Sequence, residues 1–437
     1  MKHAYSTLLD VDNEGKVVPD LAESYEMKSD TEYVFKLRED ACFWDGTPVT
    51  AQDVKFSLDR AKGMPKTKSN TSKIEEVTVN GDHEVTIKLT EPYAAFKTIV
   101  TQHNLSILSE KAVTEAGDSY GDVDNLLGSG PFKVTEWVPN DHYTLVRNDN
   151  YWGEMPIATS ITCRVIPEGS ARTIALEAGE IDVVWSVDPT DCANVESNPD
   201  VKLLSQPSTG IDYVGMNTQK EKFSDKRVRQ AINYALDKQT FVDTIIEGRG
   251  LVANSYINAA IPGWTDEVEA YPYDPEKAKE LLAEAGYPDG FECSIFVNGD
   301  LRTRSAQILQ AQLADVGIKV DISTYEWGAL LDTLNAGEHE MFLLGWSNTS
   351  FDPDGSTYQL FYSGNHGATG NRAFFSNDKV DELILSAQRE SEESKRMELY
   401  KELQFVLHEE SPWCPLYYKE NNVGVRADLK GFTLHAG

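Results

Sequence analysis

The chain has 437 residues, with 40 Lys and Arg against 71 Asp and Glu, a formal net charge of −31. Such a charge repels phosphate backbones and anionic lipid surfaces, which excludes sequence-independent nucleic-acid binding and disfavours attachment to a membrane face. Hydrophobic residues at 40% and aromatics at 10% suffice for packed cores in a chain of about three domains' length.

No stretch reaches the roughly 20 apolar residues that span a bilayer. No signal-peptide pattern opens the chain, where Met1-Lys2-His3-Ala4-Tyr5 runs into a polar segment. The five cysteines (42, 163, 192, 293, 414) are scattered, form no CxxC pair and are odd in number, so buried free thiols are expected rather than a disulfide framework.

The first third reads as strands and turns. Tyr33-Val34-Phe35-Lys36-Leu37 alternates as a half-buried strand does. Thr50, three residues before Asp53, predicts a capping box opening a helix with Val54, Phe56, Leu58 and Ala61. Asn80-Gly81-Asp82 joins predicted strands at 75–79 and 84–89. After the loop Gly128-Ser129-Gly130-Pro131, strands are expected at Phe132–Val134 and Tyr143–Val146, and helices at Ala171–Ala178 and around Val228–Leu236. Asp274 and Pro275 start a further helix that Gly286 ends. Ala306–Leu313 leads through Gly317 to the strand Ile318-Val320-Ile322, a helix-to-strand unit of α/β type. Met341–Trp346 is strand-sized, one long polar helix is expected over about 380–409, and Pro415–Tyr418 closes the chain with an apolar segment. The class is mixed α/β.

Motifs for chemistry are few. Gly117-Asp118-Ser119-Tyr120-Gly121 matches GxSxG, but that motif needs a strand before the serine and a helix after it, whereas here it lies in a polar loop. Asp10-Val11-Asp12-Asn13-Glu14-Gly15 opens like a calcium loop, yet the twelfth position is Leu21 rather than a bidentate Glu, so a turn between strands is expected. Eight histidines show neither HExxH nor a His/Cys cluster, and GxxxxGK and GxGxxG are both missing. No catalytic residue, metal or cofactor is expected. The aromatics beside Gly or Pro (Trp152-Gly153, Trp327-Gly328, Gly345-Trp346, Pro412-Trp413) suit an apolar pocket at a domain interface.

A set of motifs in order then resembles one bacterial family. Pro19-Asp20-Leu21-Ala22-Glu23-Ser24-Tyr25-Glu26, Phe43-Trp44-Asp45-Gly46-Thr47-Pro48, Gly128-Ser129-Gly130-Pro131-Phe132, Asn150-Tyr151-Trp152-Gly153, Gly179-Glu180-Ile181-Asp182, Val228-Arg229-Gln230-Ala231-Ile232 and Tyr273-Asp274-Pro275-Glu276-Lys277-Ala278 look like the extracellular solute-binding proteins of the peptide/nickel type, which serve ATP-binding-cassette importers. The resemblance implies a periplasmic-binding-protein-like type II fold. Two hinged α/β lobes, 1–16 with 151–255 and 417–437, and 256–416, would flank a ligand, with a β-rich domain inserted at 17–150.

It further implies a monomeric, extracytoplasmic receptor, in the periplasm or lipid-anchored to the outer face of the membrane, that hands di- or oligopeptides to permease subunits. The ligand would lie extended as an added strand. Gly345 and Ser347 would supply backbone contacts and Trp346 would flank the pocket, with Ser6, Thr7, Ser129 and Tyr213 also lining it. The family commonly holds the peptide ammonium with an Asp three residues after that Trp. Here the position is Thr349, so either Asp352 or Asp354 substitutes, if the loop runs differently, or the ligand lacks a free amine. Arg304 aligns with a carboxylate-holding Arg, with Arg302 close by. The family's opening strand and crossover precede the point where this chain begins. A nickel chelate, haem, glutathione or a sugar are alternative cargoes. A hydrolase using Ser119 or a carboxylate pair is the alternative of another class.

Overall fold

The structure, a computed structural model, describes residues 3–12 and 15–434. Its strands in chain order are β1 Leu9–Val11, β2 Val17–Pro19, β3 Ala22–Ser29, β4 Glu32–Leu37, β5 Ile74–Val79, β6 Glu84–Leu89, β7 Phe132–Val138, β8 His142–Arg147, β9 Ser160–Arg164, β10 Val183–Trp185, β11 Val201–Met216, β12 Gly250–Val252, β13 Phe291–Val297, β14 Ile318–Thr324, β15 Met341–Ser347 and β16 Trp413–Arg426. The chain divides into two compact units, residues 1–168 with 389–391, and residues 169–388 with 392–437.

The first unit is antiparallel β. A four-stranded sheet has the order β3-β4-β6-β5, beside a three-stranded β7-β8-β9 sheet and the hairpin β1-β2. In β4 the alternation acts as expected: Tyr33, Phe35 and Leu37 are buried with Val85, Ile87 and Leu89 of β6. The helix Ala51–Lys62 packs Val54, Leu58 and Ala61 onto this layer, and its first turn carries the full Thr50–Asp53 capping box. The β1-β2 hairpin turns through Asp12, whose Oδ1 accepts the Lys16 N–H at 2.9 Å, so the expected turn is found. Asn13 and Glu14 of the calcium-like motif lie outside the described residues.

The second unit is built on one seven-stranded sheet, β10-β16-β11-β15-β13-β14, with β12 also paired to β16. Helices cover both faces. On one face Lys226–Ala235, Lys238–Ile245, Pro275–Glu284 and Asp300–Ala314 pack against Val214, Leu343 and Tyr417. On the other, Trp327–Asn335, Asp354–Phe361, Asp378–Arg389 and Glu393–Glu410 pack against Tyr213, Phe342, Leu344 and Trp413. Double coverage explains why Met341-Phe342-Leu343-Leu344 is an unbroken apolar run, its side chains alternating between two cores. Each such side chain contributes about 1.5–3 kcal/mol by leaving water.

One expectation is corrected. The polar helix over about 380–409 is two helices, Asp378–Arg389 and Glu393–Glu410. Glu390, Glu392 and Glu393 crowd like charge into one turn, and the break puts Glu392 and Glu393 at a helix N-terminus, where the dipole favours them. All five cysteines are free, with 192, 293 and 414 buried and 42 and 163 half-buried. No helix among the described residues is long and apolar enough to cross a membrane.

Candidate ligand site

The direction of the β15 backbone is fixed at both ends of its pairing with β11. Asn217 N–H donates to Glu340 O at 2.9 Å, and Asn348 N–H donates to Thr209 O at 3.5 Å. Between them the antiparallel register runs from Met341↔Met216 to Ser347↔Gly210. Alternation then turns the peptide groups of 342, 344 and 346 toward β11 and those of Gly345 and Ser347 away from it. On that other side β13 pairs only with Met341 and Phe342. Gly345 and Ser347 therefore present N–H and C=O groups along an edge that no strand among the described residues occupies.

One face of the sheet changes character at this edge. The row Val214, Leu343 and Cys414 is apolar core, whereas the row Asp212, Gly345 and Tyr417 brings in a carboxylate that is only 4% exposed. Lys419 Nζ stands 3.1 Å from Asp212 Oδ2, and Arg302 Nη2 stands 3.9 Å from Asp212 Oδ1. Gly345 is glycine for a reason, since a Cβ there would meet the Asp212 carboxylate at 3.0–3.2 Å. At Gly210 a Cβ would meet Ser208 Oγ, Lys419 Cε and Ser347 Oγ at 3.1, 3.2 and 3.4 Å. The strand β11 bulges at this point, its register against β16 jumping between Pro207 and Ile211. Ser208 Oγ pins the bulge, donating to Lys419 O at 2.8 Å and accepting from Gly210 N–H at 3.0 Å.

Arg302 reaches this cluster because of helical phase. It lies three and four residues before Ser305 and Ala306, which face the sheet with Leu309 and Leu313. Arg304 is two positions on, about 200° around the helix, and its Nη2 donates to Thr244 O at 3.2 Å on the exposed side. Of the two arginines, Arg302 and not Arg304 stands beside the Asp212 carboxylate.

The other expected residues divide clearly. Trp346 is half-buried against Ile211, Ala253 and Tyr418, and its Nε1 has no hydrogen-bond partner. Tyr213, expected to line a pocket, is core: its ring stacks on Trp413 with centroids 3.4 Å apart, and burial raises its pKa. Thr349 is exposed in a loop tied down by Asn348, whose Nδ2 donates to Asp352 O at 2.7 Å and to Ser356 Oγ at 2.9 Å.

Asp352, expected to take over the ammonium, is instead paired with Arg396. Arg396 Nη1 donates to Asp352 Oδ2 at 2.9 Å, and Nη2 donates to Oδ1. Asp354 accepts from Gln388 Nε2 at 2.9 Å, also within the core. Neither carboxylate is placed as a free counter-charge.

In the first unit Ser6, Thr7 and Ser129 come together. Ser6 N–H donates to Ser129 Oγ at 3.2 Å, Thr7 N–H donates to Asp20 Oδ2 at 2.8 Å, and all three residues are buried. Ser119 follows the helix Glu110–Ala116 rather than a strand, and its hydroxyl donates to Ala116 O at 2.8 Å and accepts from Asn125 Nδ2 at 3.0 Å. That is a turn, not a nucleophile elbow.

Residues 16–368 match the family model of the bacterial extracellular solute-binding proteins, family 5 Middle. The chain belongs to that family. Among curated members it is 31% identical to heme-binding protein A of Haemophilus influenzae over 448 residues, 95% of this chain and 82% of that one. It is 30% identical to the dipeptide-binding protein of Escherichia coli K12 over 456 residues, 96% of this chain and 84% of that one. Among solved members, the periplasmic binding protein DppA from Helicobacter pylori, in complex with the peptide STSA, superposes with a TM-score of 0.90 at 29% identity, covering 99% of this chain and 90% of that one. The family resemblance and the type II binding-protein fold read from the motifs are borne out. Asp212 and Lys419 escaped the sequence reading. The signal was an ionised residue inside an otherwise apolar strand, Ile211-Asp212-Tyr213-Val214.

Proposed function

We propose that this chain is a non-catalytic extracytoplasmic receptor that captures a short extended peptide and delivers it, as a monomer, to the permease of an ATP-binding-cassette importer. The observation that carries the reading is the edge of β15: Gly345 and Ser347 point their peptide groups to a side where β13 has already ended. Backbone pairing on such an edge recognises a peptide irrespective of its side chains. Relatives that carry a dipeptide or the tetrapeptide STSA support a peptide cargo, and the heme-binding relative marks the competing one.

The lobe boundaries 1–16 with 151–255 and 417–437, 17–150, and 256–416 are part of the proposal. They follow the family resemblance, and the irregularity of β16 against β11 between Pro415 and Tyr417 supports the 416/417 boundary. Ligand contacts with both lobes would favour a closed state over an open one, and the permease would read that difference.

Native mass spectrometry of the purified chain tests the cargo. A ladder of masses resolving into short peptides is the expected result, and a single non-peptide mass would overturn the peptide assignment. Strand addition is tested separately by N-methylation of one backbone amide of a bound peptide, with an expected affinity loss of about tenfold.

A further inference from the structure

We propose that the first unit carries a small-molecule site of its own, in the pocket between the turn Asp45-Gly46-Thr47-Pro48 and the helix Glu110–Ala116, and that its ligand is a free α-amino acid with an apolar side chain.

The pocket has a volume of about 210 Å³ and is lined only by residues of the first unit. That is below the roughly 300–1,000 Å³ of sites for drug-sized molecules, so the occupant is compact. Part of the lining is apolar: Phe43 belongs to the core beneath β4 and β6, Leu127 packs at its margin, and Pro48 and Ala112 come from the turn and the helix.

Both sides are fixed before any ligand arrives. Phe43 N–H donates to Thr47 O and Gly46 N–H to Phe43 O, each at 2.8 Å, across a turn that glycine permits at φ +86°. The helix is tied to its neighbour Ala51–Lys62 by Glu110 N–H donating to Asp53 Oδ1 at 3.0 Å, and the chain just before it by Leu108 N–H donating to Ser57 Oγ at 2.8 Å.

Three ionised side chains of the lining keep capacity to bind. Asp45 accepts Thr47 N–H at 2.9 Å and Thr47 Oγ1 at 2.6 Å, both on Oδ1. Lys111 and Glu115 stand one turn apart on the helix, the spacing at which opposite charges ordinarily pair. Among the described residues, neither side chain makes an ion pair or a hydrogen bond. Asp53, the remaining acid of the lining, is spent on Thr50 and Glu110.

Two carboxylates and one ammonium around an apolar lining match a zwitterion. The ligand ammonium meets Asp45 and Glu115, its carboxylate meets Lys111, and its side chain lies on Phe43 and Leu127. A plain amine would leave Lys111 opposed to it, and a plain acid would meet two carboxylates. Because the charged groups reach solvent, binding near the millimolar range is expected.

Saturation-transfer NMR on the full chain tests this with leucine, leucinamide and N-acetylleucine. Leucine should bind, and leucinamide, without the carboxylate, and N-acetylleucine, without the ammonium, should each bind about fivefold more weakly or worse. Lys111→Gln should erase the advantage over leucinamide, Glu115→Gln should narrow the advantage over N-acetylleucine, and Ala112→Phe, which fills the pocket, should abolish binding of leucine.

No binding at ~10 mM leucine, or derivatives that match leucine, would overturn the site. So would leucine binding that survives all three substitutions, since a cleft elsewhere in the chain would then hold it. Lys111 and Glu115 are exposed, so should Ala112→Phe fail to fold, the two glutamine variants carry the decision.

Discussion

Two buried aspartates in the second unit, Asp352 and Asp212, are 5% and 4% exposed and could not be more differently treated. Asp352 faces one guanidinium, one carboxylate against one cation, with both oxygens hydrogen-bonded. Arg396 is in turn held by Ala387 O at 3.2 Å, and its own side chain is 7% exposed. Asp212 faces two cations, neither aligned for a strong bond and both reaching solvent. A closed pair with both carboxylate oxygens bonded is a structural fastening. The cluster at Asp212 is unbalanced, with Asp212 Oδ2 and Arg302 Nε left without hydrogen-bond partners.

The largest effect should come from breaking the closed pair. Arg396→Met leaves Asp352 as a buried, unpaired charge, and a loss of about 3–5 kcal/mol is expected in denaturant unfolding. A loss below 1 kcal/mol would remove the distinction between the two aspartates.

Acid should act on the core next. His339 is fully buried with Nε2 2.8 Å from Arg372 O and Nδ1 unpartnered, and burial lowers its pKa from 6.5 to about 4. The native state therefore holds fewer protons than the unfolded chain between those values, so stability falls as pH drops from about 6.5 towards 4, by up to about 3 kcal/mol, and levels off below. His339→Gln should flatten that limb of the stability-pH curve.

Asp212→Asn should cost about 1 kcal/mol or less, because the two cations it leaves are partly solvated. A large loss would place Asp212 with Asp352 as a fastening. Arg304→Ala is the smallest change expected, within about 0.5 kcal/mol in stability and without effect on binding, since its one contact is an exposed carbonyl.

Much of this was legible because its causes are local. The Thr50–Asp53 box, the Asn80-Gly81-Asp82 turn and the Asp274-Pro275 start each act within a few residues, and each forms as expected. The long strand β11 was not anticipated. Pro207 and Gly210 look like breakers in sequence, and only pairing with β16, some two hundred positions away, carries the strand through a bulge. The Arg302–Arg304 choice was lost to a boundary: a helix begun at 306 says nothing of phase, whereas one begun at Asp300 turns Arg302 inward. Asp352 was misjudged because its partner, Arg396, is 44 positions distant and nothing in the loop announces it.

The brevity of the open β15 edge has a consequence of another kind. An unpaired sheet edge is a template on which a second copy of the same chain can dock and start aggregation. Here β13 covers the strand through Phe342, which leaves outward peptide groups only at Gly345 and Ser347, about 7 Å of ladder at a rise of ~3.4 Å per residue. That is too short to seed a growing sheet. Two outward peptide groups thus end the sheet without offering a second copy of the chain a ladder to extend.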